Sequence, residues 1–340
     1  MGQRKGIKLE DIAKELGISI VSVSNALKGK KGVGEELRMK VQQKAEEMGY
    51  QVSRVPEKKE NRCYRIGVII AERYVKEYPS FYMDIYKLVA QEAVRRGNLV
   101  MLQLVDDEKE MQENLPVFFP DADIQGVIVI GEMKAKFIRN MKNQICVPLV
   151  CIDFYGMEED IDYIVPDNFH GSAFLTQTLV DAGHKDIGFI GTPTATNSIM
   201  DRYMGYCKAL AENGLSERRK WLIFDRQEDG YGYKVDFELP DELPTAFVCN
   251  CDKTAYLLIA KLKEKDLAVP EDISVVGFDN SYPERGEKKK LVTYEVDTNA
   301  MAQIGVNTLL KRMEGKGNPE KIRIVESRII EGDTVEELRR

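Results

Sequence analysis

The sequence has no apolar run of the ~20 residues that a membrane-spanning helix needs, so we expect no membrane partner. Its first residues, MGQRKGIKLEDIAKEL, contain no uninterrupted apolar segment like that of an export signal, which predicts a cytoplasmic protein. There are only two histidines, and the six cysteines form no CxxC pair. These absences argue against a zinc site and a disulfide framework, so we expect reduced thiols, no metal and no cofactor.

Positive charge is concentrated at the N-terminal end of the chain. Residues 1–65 carry 15 Lys and Arg against 9 Asp and Glu, whereas the rest of the chain carries 34 against 47. A nucleic-acid-binding head on a non-binding body would have this asymmetry, because phosphate neutralisation needs local positive charge. A solvated basic tail is the alternative, and charge alone does not separate the two.

Three short helices are predicted in the basic segment. Apolar residues recur at helical spacing over residues 9–27, interrupted at Gly17, which suits the left-handed residue that ends a helix. Ser19 suits the N-cap of the next helix. A third amphipathic pattern covers roughly residues 35–48, so the segment is long enough to close a small three-helix core.

The second of these helices presents a face with no core to meet. On a helix over residues 20–27, Val23 and Leu27 face inward. The outward side carries Val21, Ser22 and Asn25. Ile20 and Val21 suit thymine methyl groups, and Asn25 suits a bidentate contact with adenine in a major groove. The alternative for each residue alone is packing under a loop or simple solvation.

The remaining chain alternates short β-rich runs with helical patterns, and the alternation occurs twice. This predicts an α/β body of two doubly wound parallel-sheet lobes, preceded by an all-α helix-turn-helix domain. Two such lobes imply a cleft, and ligands of parallel sheets lie beyond the carboxyl ends of the strands.

Three aspartates follow predicted strands and are candidate ligand contacts. They are Asp153 after PLVCI, Asp252 after TAFVC and Asp279 after ISVVGF. Together with Arg202 at a helix start, they would equip a site for a polyhydroxylated ligand through bidentate hydrogen bonds. A capping or turn role is the alternative for each aspartate alone.

The stretch LEDIAKELGISIVSVSNALKGKKGVGEELRMKVQQKAEEMGY resembles the headpiece of LacI/GalR-type bacterial repressors. The resemblance implies that Ile20, Val21 and Asn25 read bases. It also implies that three further residues lie near the DNA backbone: Ser22, Ser24 and Lys28. Asn25 stands where many members have arginine.

The body is similar to the effector domain of the same family, which implies that its two lobes are periplasmic-binding-protein-like. YPSFYMDI implies aromatic ligand contacts from Phe81 and Tyr82, and DRYMGY and PEDISVVGFDN imply Arg202 and Asp279. NCDKTA keeps Asp252 of the family's Asn-Asp pair but has Cys251 where asparagine is common. Residues 226–244 lack the helical pattern that the resemblance implies there.

The sequence divides into a headpiece over residues 1–50, a hinge over 51–63 and a body over 64–340. The resemblance implies three crossings between lobes, with lobe 1 at about 64–164 and 291–317 and lobe 2 at about 165–290 and 318–340. In such repressors a hinge helix inserts a leucine wedge into the minor groove. Here Lys58 and Lys59 replace that leucine and Pro56 obstructs a helix, which predicts a weaker or absent wedge.

These features predict a ligand-responsive transcriptional repressor of carbohydrate-utilisation genes. The expected partners are operator DNA, a sugar or sugar derivative bound between the lobes, and a second copy of the chain in a homodimer. Alternatives are a transport-type solute-binding protein, an enzyme using Asp153, Asp167 or Asp279 as acid or base, and a regulator whose effector partner is a phosphoprotein. Whether the ligand releases DNA or strengthens binding stays open.

Overall fold

The structure, a computed structural model, describes residues 9–27, 34–48, 63–76, 80–113, 123–227, 232–281 and 290–338. The chain forms two compact units, Met1–Arg62 and Cys63–Arg340. The predicted backbone contact Lys28 and the predicted hinge up to residue 62 lie outside the described residues. In the described part of the chain, no helix is both long and apolar enough to cross a membrane.

The first unit contains the three predicted helices. They are α1 (Leu9–Leu16), α2 (Ile20–Leu27) and α3 (Glu35–Glu47). Apolar residues at helical spacing form one buried cluster, made of Ile12, Ala13, Val23, Ala26, Val41 and Ala45. Small alanines at three of these positions let the helices cross closely, so a short segment still buries a continuous core.

The turn between α1 and α2 has the predicted chemistry. Gly17 adopts a left-handed conformation with φ of +63°. The N–H of Ile18 donates to the carbonyl of Ala13 at 3.1 Å, which closes the end of α1. Ser19 Oγ accepts from the N–H of Ser22 at 3.1 Å and caps α2. The turn therefore fixes the direction in which α2 leaves α1.

The first sheet of the second unit is parallel. Its early strands are β1 (Arg65–Ala71), β2 (Leu99–Val105), β3 (Gly126–Ile130), β4 (Leu149–Ile152) and β5 (Ile161–Pro166). The intervening helices are α4 (Phe81–Arg95), α5 (Asp107–Met111) and α6 (Ala135–Gln144). The central strands are buried on both faces, which explains their unbroken apolar sequences.

The second sheet repeats the pattern. Its strands are β6 (Ile187–Ile190), β7 (Leu222–Ile223), β8 (Ala246–Cys249) and β9 (Ser274–Asp279). Its helices are α7 (Asn168–Asp181), α8 (Asn197–Glu212) and α9 (Asp252–Glu264). The remaining elements are β10 (Val292–Glu295), α10 (Thr298–Met313), β11 (Ile322–Val325) and β12 (Ile329–Ile330). The strand orders are β11-β5-β4-β3-β1-β2 and β12-β10-β9-β8-β6-β7, and only β12 is antiparallel to its neighbour.

The predicted lobe boundaries are wrong at the C-terminal end. Residues 291–297 were expected in the first lobe, but β10 pairs with β9 in the second sheet. Residues 318–340 were expected in the second lobe, but β11 pairs with β5 in the first sheet before β12 returns to the second. A strand pattern in the sequence does not predict which sheet the strand joins. Both sheets have an unpaired edge that could accept a further strand.

We expect Gly205→Ala to destabilise the second unit. A Cβ at Gly205 would lie 2.1 Å from the carbonyl oxygen of Phe169, where α7 and α8 cross, and a backbone atom has little room to yield. Overpacking of this kind costs about 1–3 kcal/mol, which thermal unfolding followed by circular dichroism would detect.

Gly34→Ala is the matched control, because a Cβ at Gly34 meets nothing within 4 Å and its φ is −63°. Equal melting temperatures for Gly205→Ala and the wild type would contradict the close helix crossing.

Candidate functional site

The outward face of α2 exposes apolar side chains that no neighbouring helix covers. Val21 is 67% exposed and Ile20 is 46% exposed, whereas Val23 on the inward face is fully buried. The predicted residues Ser22, Ser24 and Asn25 are all partly exposed on α2. The Ser22 hydroxyl is 2.9 Å from that of Ser19, so this serine also belongs to the cap. Exposed β-branched residues at a helix start suit the methyl groups of a DNA groove.

The second candidate site lies between the two sheets, where the carboxyl ends of their strands face each other. Arg202 on α8 is its central cation and is 5% exposed. Its Nη2 pairs with Asp279 Oδ1 at 3.1 Å, its Nη1 donates to the Asn250 carbonyl at 2.5 Å, and its Nε donates to Asn168 Oδ1 at 2.8 Å. The guanidinium also lies 3.8 Å from the ring centroid of Phe278. Arg202 is therefore held firmly and in turn fixes Asp279.

Asp153 faces this group from the end of β4. It is 4% exposed, and its Oδ1 has no hydrogen-bond partner among the described residues. Burial raises the pKa of Asp153 to about 7, against the opposing effect of Arg202. Its φ of +70° is a strained conformation for an aspartate. A buried carboxylate oxygen without a donor is costly, so this atom is suited to accept a hydrogen bond from a ligand.

Aromatic side chains form one wall beside Asp153. The ring of Tyr82 lies 4.4 Å from that of Tyr74 and 5.4 Å from that of Phe81. Burial raises the pKa of Tyr82 well above its usual value, and the Asp153 charge adds to the effect. Gly131 lets both tyrosines approach, because a Cβ there would lie 2.9 Å from each ring. The structure thus places both predicted aromatic residues together at the start of α4.

Both carboxylate oxygens of Asp252, a predicted ligand contact, accept hydrogen bonds from other residues of the protein. Its Oδ1 accepts from Thr293 Oγ1 at 2.6 Å and its Oδ2 accepts from the N–H of Ser281 at 2.8 Å. The residue is 1% exposed. The two oxygens therefore connect the start of α9 to β10 and to the loop after β9. Strand β9 ends with Asp279. The geometry fits a residue that supports the cleft rather than one that contacts a ligand.

Sequence reasoning missed Arg226 and Tyr233, which also reach the cleft. The Arg226 guanidinium lies 4.0 Å from the Tyr233 ring centroid, and the Tyr233 hydroxyl is 3.6 Å from Cys251 Sγ. Both residues belong to the segment 226–244, whose described part contains no helix. The available signal was the Asp225-Arg226 pair that directly follows the strand sequence WLIF.

Hydrogen bonds between the lobes hold the cleft in its present form. Glu132 Oε2 accepts from the N–H of Asn197 at 2.6 Å, in the first turn of α8. Ser198 Oγ donates to the Asp153 carbonyl at 3.2 Å. The Tyr155 hydroxyl donates to Asp201 Oδ1 at 3.0 Å. All three contacts use α8, so this helix carries the lobe-to-lobe contacts as well as Arg202.

We expect stability to fall as pH rises between about 4 and 7, in part because of Asp153. The pKa of Asp153 is raised to about 7 in the folded chain. Its contribution to the free energy of unfolding is therefore full below the unfolded pKa and is lost as pH rises through 7. Asp153→Asn removes this titration, and the difference amounts to about 4 kcal/mol at most. Melting temperatures of both proteins at pH 5 and pH 8 measure it. Parallel pH profiles for the two proteins would rule out this titration.

Two family models match the chain. The model described as bacterial regulatory proteins, lacI family, matches residues 8–53, and the periplasmic binding protein-like domain matches residues 176–335. The HTH-type transcriptional repressor PurR of Histophilus somni (strain 2336) is 30% identical over 321 residues, which cover 92% of this chain and 94% of that protein.

Solved structures share the fold. The transcriptional regulator CelR in complex with cellobiose superposes with a TM-score of 0.68 at 21% identity, over 96% of this chain and 99% of CelR. The lac repressor dimer bound to operator and the anti-inducer ONPF superposes with a TM-score of 0.64 at 20% identity, over 98% of this chain and all of that one. The chain belongs to the lacI family of bacterial regulatory proteins, with a helix-turn-helix headpiece followed by a periplasmic-binding-protein-like body.

Proposed function

We propose that the chain is a ligand-responsive repressor that binds operator DNA through α2 and a small effector between its two lobes. The observation that carries the proposal is the outward face of α2, where Ile20 and Val21 are exposed on a helix that a tight turn positions against a compact core. An apolar face of this kind is unfavourable in water and favourable against thymine methyl groups.

Each headpiece residue has a role in this proposal. Ile20, Val21 and Asn25 read base edges from the major groove, whereas Ser22, Ser24 and Lys28 contact the DNA backbone. Backbone contacts position the helix, and base contacts select the sequence. The hinge at residues 51–63 joins the headpiece to the body, and we retain the expectation of a weak or absent minor-groove wedge.

The effector is proposed to be a carbohydrate or a carbohydrate derivative. Asp153 has a buried acceptor oxygen that a ligand hydroxyl would satisfy, Asp279 is oriented by Arg202, and Phe81 and Tyr82 supply ring faces for a sugar. CelR, which shares the fold, has been solved with cellobiose. Asp252 supports this site from behind. Purine bases are the comparison class for any binding screen, because the chain has relatives named repressor PurR.

The effector acts by shifting the population of lobe arrangements. It must bind one arrangement more tightly, because equal affinity for both would change nothing. The contacts of Asn197, Ser198 and Asp201 on α8 define the arrangement described above. A ligand that favours or breaks these contacts changes the relation between the lobes and hence the presentation of the headpieces to DNA.

A homodimer is proposed because one three-helix headpiece makes few DNA contacts, whereas two linked headpieces read two half-sites. The body has an apolar surface that suits an interface. Strand β2 is an edge strand, and exposed apolar residues lie on it and on the neighbouring α4: Val94, Leu99, Met101 and Leu104. The similar lac repressor structure is a dimer.

The proposed role is not enzymatic and needs no cofactor. The aspartates of the cleft, including Asp153 and Asp279, act as ligand acceptors in this role. Asp167 caps α7, since its Oδ1 accepts from the N–H of His170 at 3.2 Å. A regulator that binds operator DNA acts where the DNA is, so we place the protein in the cytoplasm.

Asn25→Ala is expected to reduce discrimination between a selected operator and a scrambled duplex by about 10- to 100-fold, because a bidentate base contact contributes about 1–3 kcal/mol. The operator is selected by the wild-type protein from a random pool, and affinities are measured by gel shift at several salt concentrations. Gln43→Ala, an exposed change on α3, is the control. Full discrimination by Asn25→Ala would remove Asn25 from the reading role.

Gly131→Ala is expected to abolish the effector response while DNA binding without effector persists. The added Cβ would push apart the Tyr74 and Tyr82 rings that form the wall of the cleft. Gly97→Ala is the matched control, because Gly97 has nearly the same left-handed φ, +79° against +82°, but open space around its Cβ.

Thermal shift with sugars and purine bases, followed by gel shift, measures the response to each ligand. An unchanged response in Gly131→Ala would contradict the cleft as the effector site. Stabilisation by purine bases and by none of the sugars would replace the carbohydrate class while keeping the ligand response.

A further inference from the structure

Arg226 is a cleft cation with a hydrogen-bonding edge that no described residue uses. Its Nη1 donates to the carboxylate of Asp225, and its guanidinium is stacked on the Tyr233 ring at 4.0 Å from the centroid. Among the described residues, no acceptor faces its Nε or Nη2. The side chain is nevertheless only 10% exposed. This differs from Arg202, whose Nε and Nη1 donate hydrogen bonds and whose Nη2 forms an ion pair with Asp279.

The partner Asp225 is too firmly bound to compete for the free edge of Arg226. Its Oδ2 also accepts from Asn250 Nδ2 at 2.5 Å and from Thr254 Oγ1 at 2.8 Å, and its Oδ1 accepts from Thr192 Oγ1 at 3.3 Å. Thr192 Oγ1 in turn accepts the backbone N–H of Arg226 at 3.0 Å. Asp225 therefore acts as an anchor that orients the guanidinium on its Nη1 side, and the Nε–Nη2 edge has no hydrogen-bond partner among the described residues.

A second cation lies on the same aromatic ring. The ammonium group of Lys253 is 4.0 Å from the Tyr233 centroid, the same distance as the Arg226 guanidinium. Two cations drawn to one ring create positive potential at this end of the cleft. Burial raises the pKa of Asp279, and the charges of Arg202 and then Arg226 oppose that rise, so the Arg226 guanidinium lies within electrostatic reach of this carboxylate. The cleft thus has a cationic end at Tyr233 and an acceptor end at Asp153.

We propose that the effector is an anionic sugar derivative, a sugar acid or a sugar phosphate, whose anionic group is bound by Nε and Nη2 of Arg226. These two nitrogens form the side of the guanidinium fork that matches two oxygens of a carboxylate or phosphate. A ligand hydroxyl donates to Asp153 Oδ1 at the other end. Tyr233 and Asp225 are positioning residues for Arg226. This inference rests on the proposed effector site and specifies the ligand class for it.

The test compares ligands that differ only in the anionic group. Glucose, glucuronate and glucose 6-phosphate, the matching galactose series and inorganic phosphate alone are titrated into the purified full-length chain by calorimetry and thermal shift. We expect at least one anionic member of a series to bind at least about tenfold more tightly than its neutral counterpart, which corresponds to about 1.4 kcal/mol. A preference for the carboxylate or for the phosphate distinguishes the two sources of the anion.

Arg226→Gln should remove this preference, and Arg226→Lys, which keeps the charge but lacks the fork, should restore only part of it. Arg218→Gln is the matched control, because Arg218 is half exposed, pairs with Asp186 at 2.8 Å and lies against Trp221 outside the cleft. Circular dichroism and the melting temperature without ligand confirm that each variant is folded before its affinity is compared.

Two results would overturn the inference. One is a neutral sugar that binds as tightly as its anionic counterparts, or a preference that survives Arg226→Gln. The other is the absence of any response to the anionic ligands and phosphate up to about 10 mM, weaker than an ion pair of this kind supports. If neutral sugars still alter operator affinity, the proposed repressor function stands and only the anionic class fails. If no duplex is bound, the repressor function fails independently of ligand.

Discussion

The buried guanidinium of Arg202 organises the cleft. A cation inside a protein is costly unless it is paired and hydrogen-bonded, and Arg202 forms an ion pair with Asp279 and donates hydrogen bonds to Asn250 and Asn168. These partners come from the end of β9, the end of β8 and the start of α7, so one side chain joins three elements of the second lobe. Because the cation binds these elements together, Asp279 has little freedom to reorient, and the cleft is preorganised before any ligand arrives.

Burial of the cleft carboxylates costs free energy, and a donor that hydrogen-bonds to them offsets part of this cost. Burial raises the pKa of both Asp153 and Glu132 to about 7, so each ionised form is held at a cost. Glu132 already has a donor from the other lobe, the N–H of Asn197, whereas Asp153 Oδ1 has none among the described residues. The first carboxylate therefore stabilises lobe contact, and the second keeps an acceptor oxygen, which in the proposed function bonds the effector. The two carboxylates are buried to a similar effect, and they differ in whether a neighbouring residue supplies a hydrogen-bond donor.

Local signals in the sequence were sufficient where the determining contacts are local. Gly17 and Ser19 could be assigned because a helix end and a helix cap are settled within a few residues. The rule that ligands lie beyond parallel strands placed Asp153 and Asp279 in the cleft. It could not show that the Asp252 carboxylate accepts a hydrogen bond from Thr293, 41 residues away. Arg226 was missed because a segment without periodicity gives no indication of where its side chains point.

The placement of β10 and β11 depended on information that a strand pattern does not contain. Both are four-residue strands of mixed polarity, VTYE and IRIV, and each pairs in parallel with its neighbour, β10 with β9 and β11 with β5. For β11 the sheet is set by the connection, since α10 before it packs against β3, β4 and α4 of the first lobe. A strand pattern is thus a local property, whereas the sheet that β11 joins follows from the surface that the preceding helix covers.

Helix α8 carries both Arg202 and all three of the lobe-bridging residues described above, Asn197, Ser198 and Asp201. At 16 residues it is a rod about 24 Å long, and its first turn and its arginine lie within two turns of each other. Any displacement that frees the first turn must also carry the arginine with it. In the proposed function, ligand contact and lobe closure therefore use the same rigid helix, so a substitution that shifts α8 alters both.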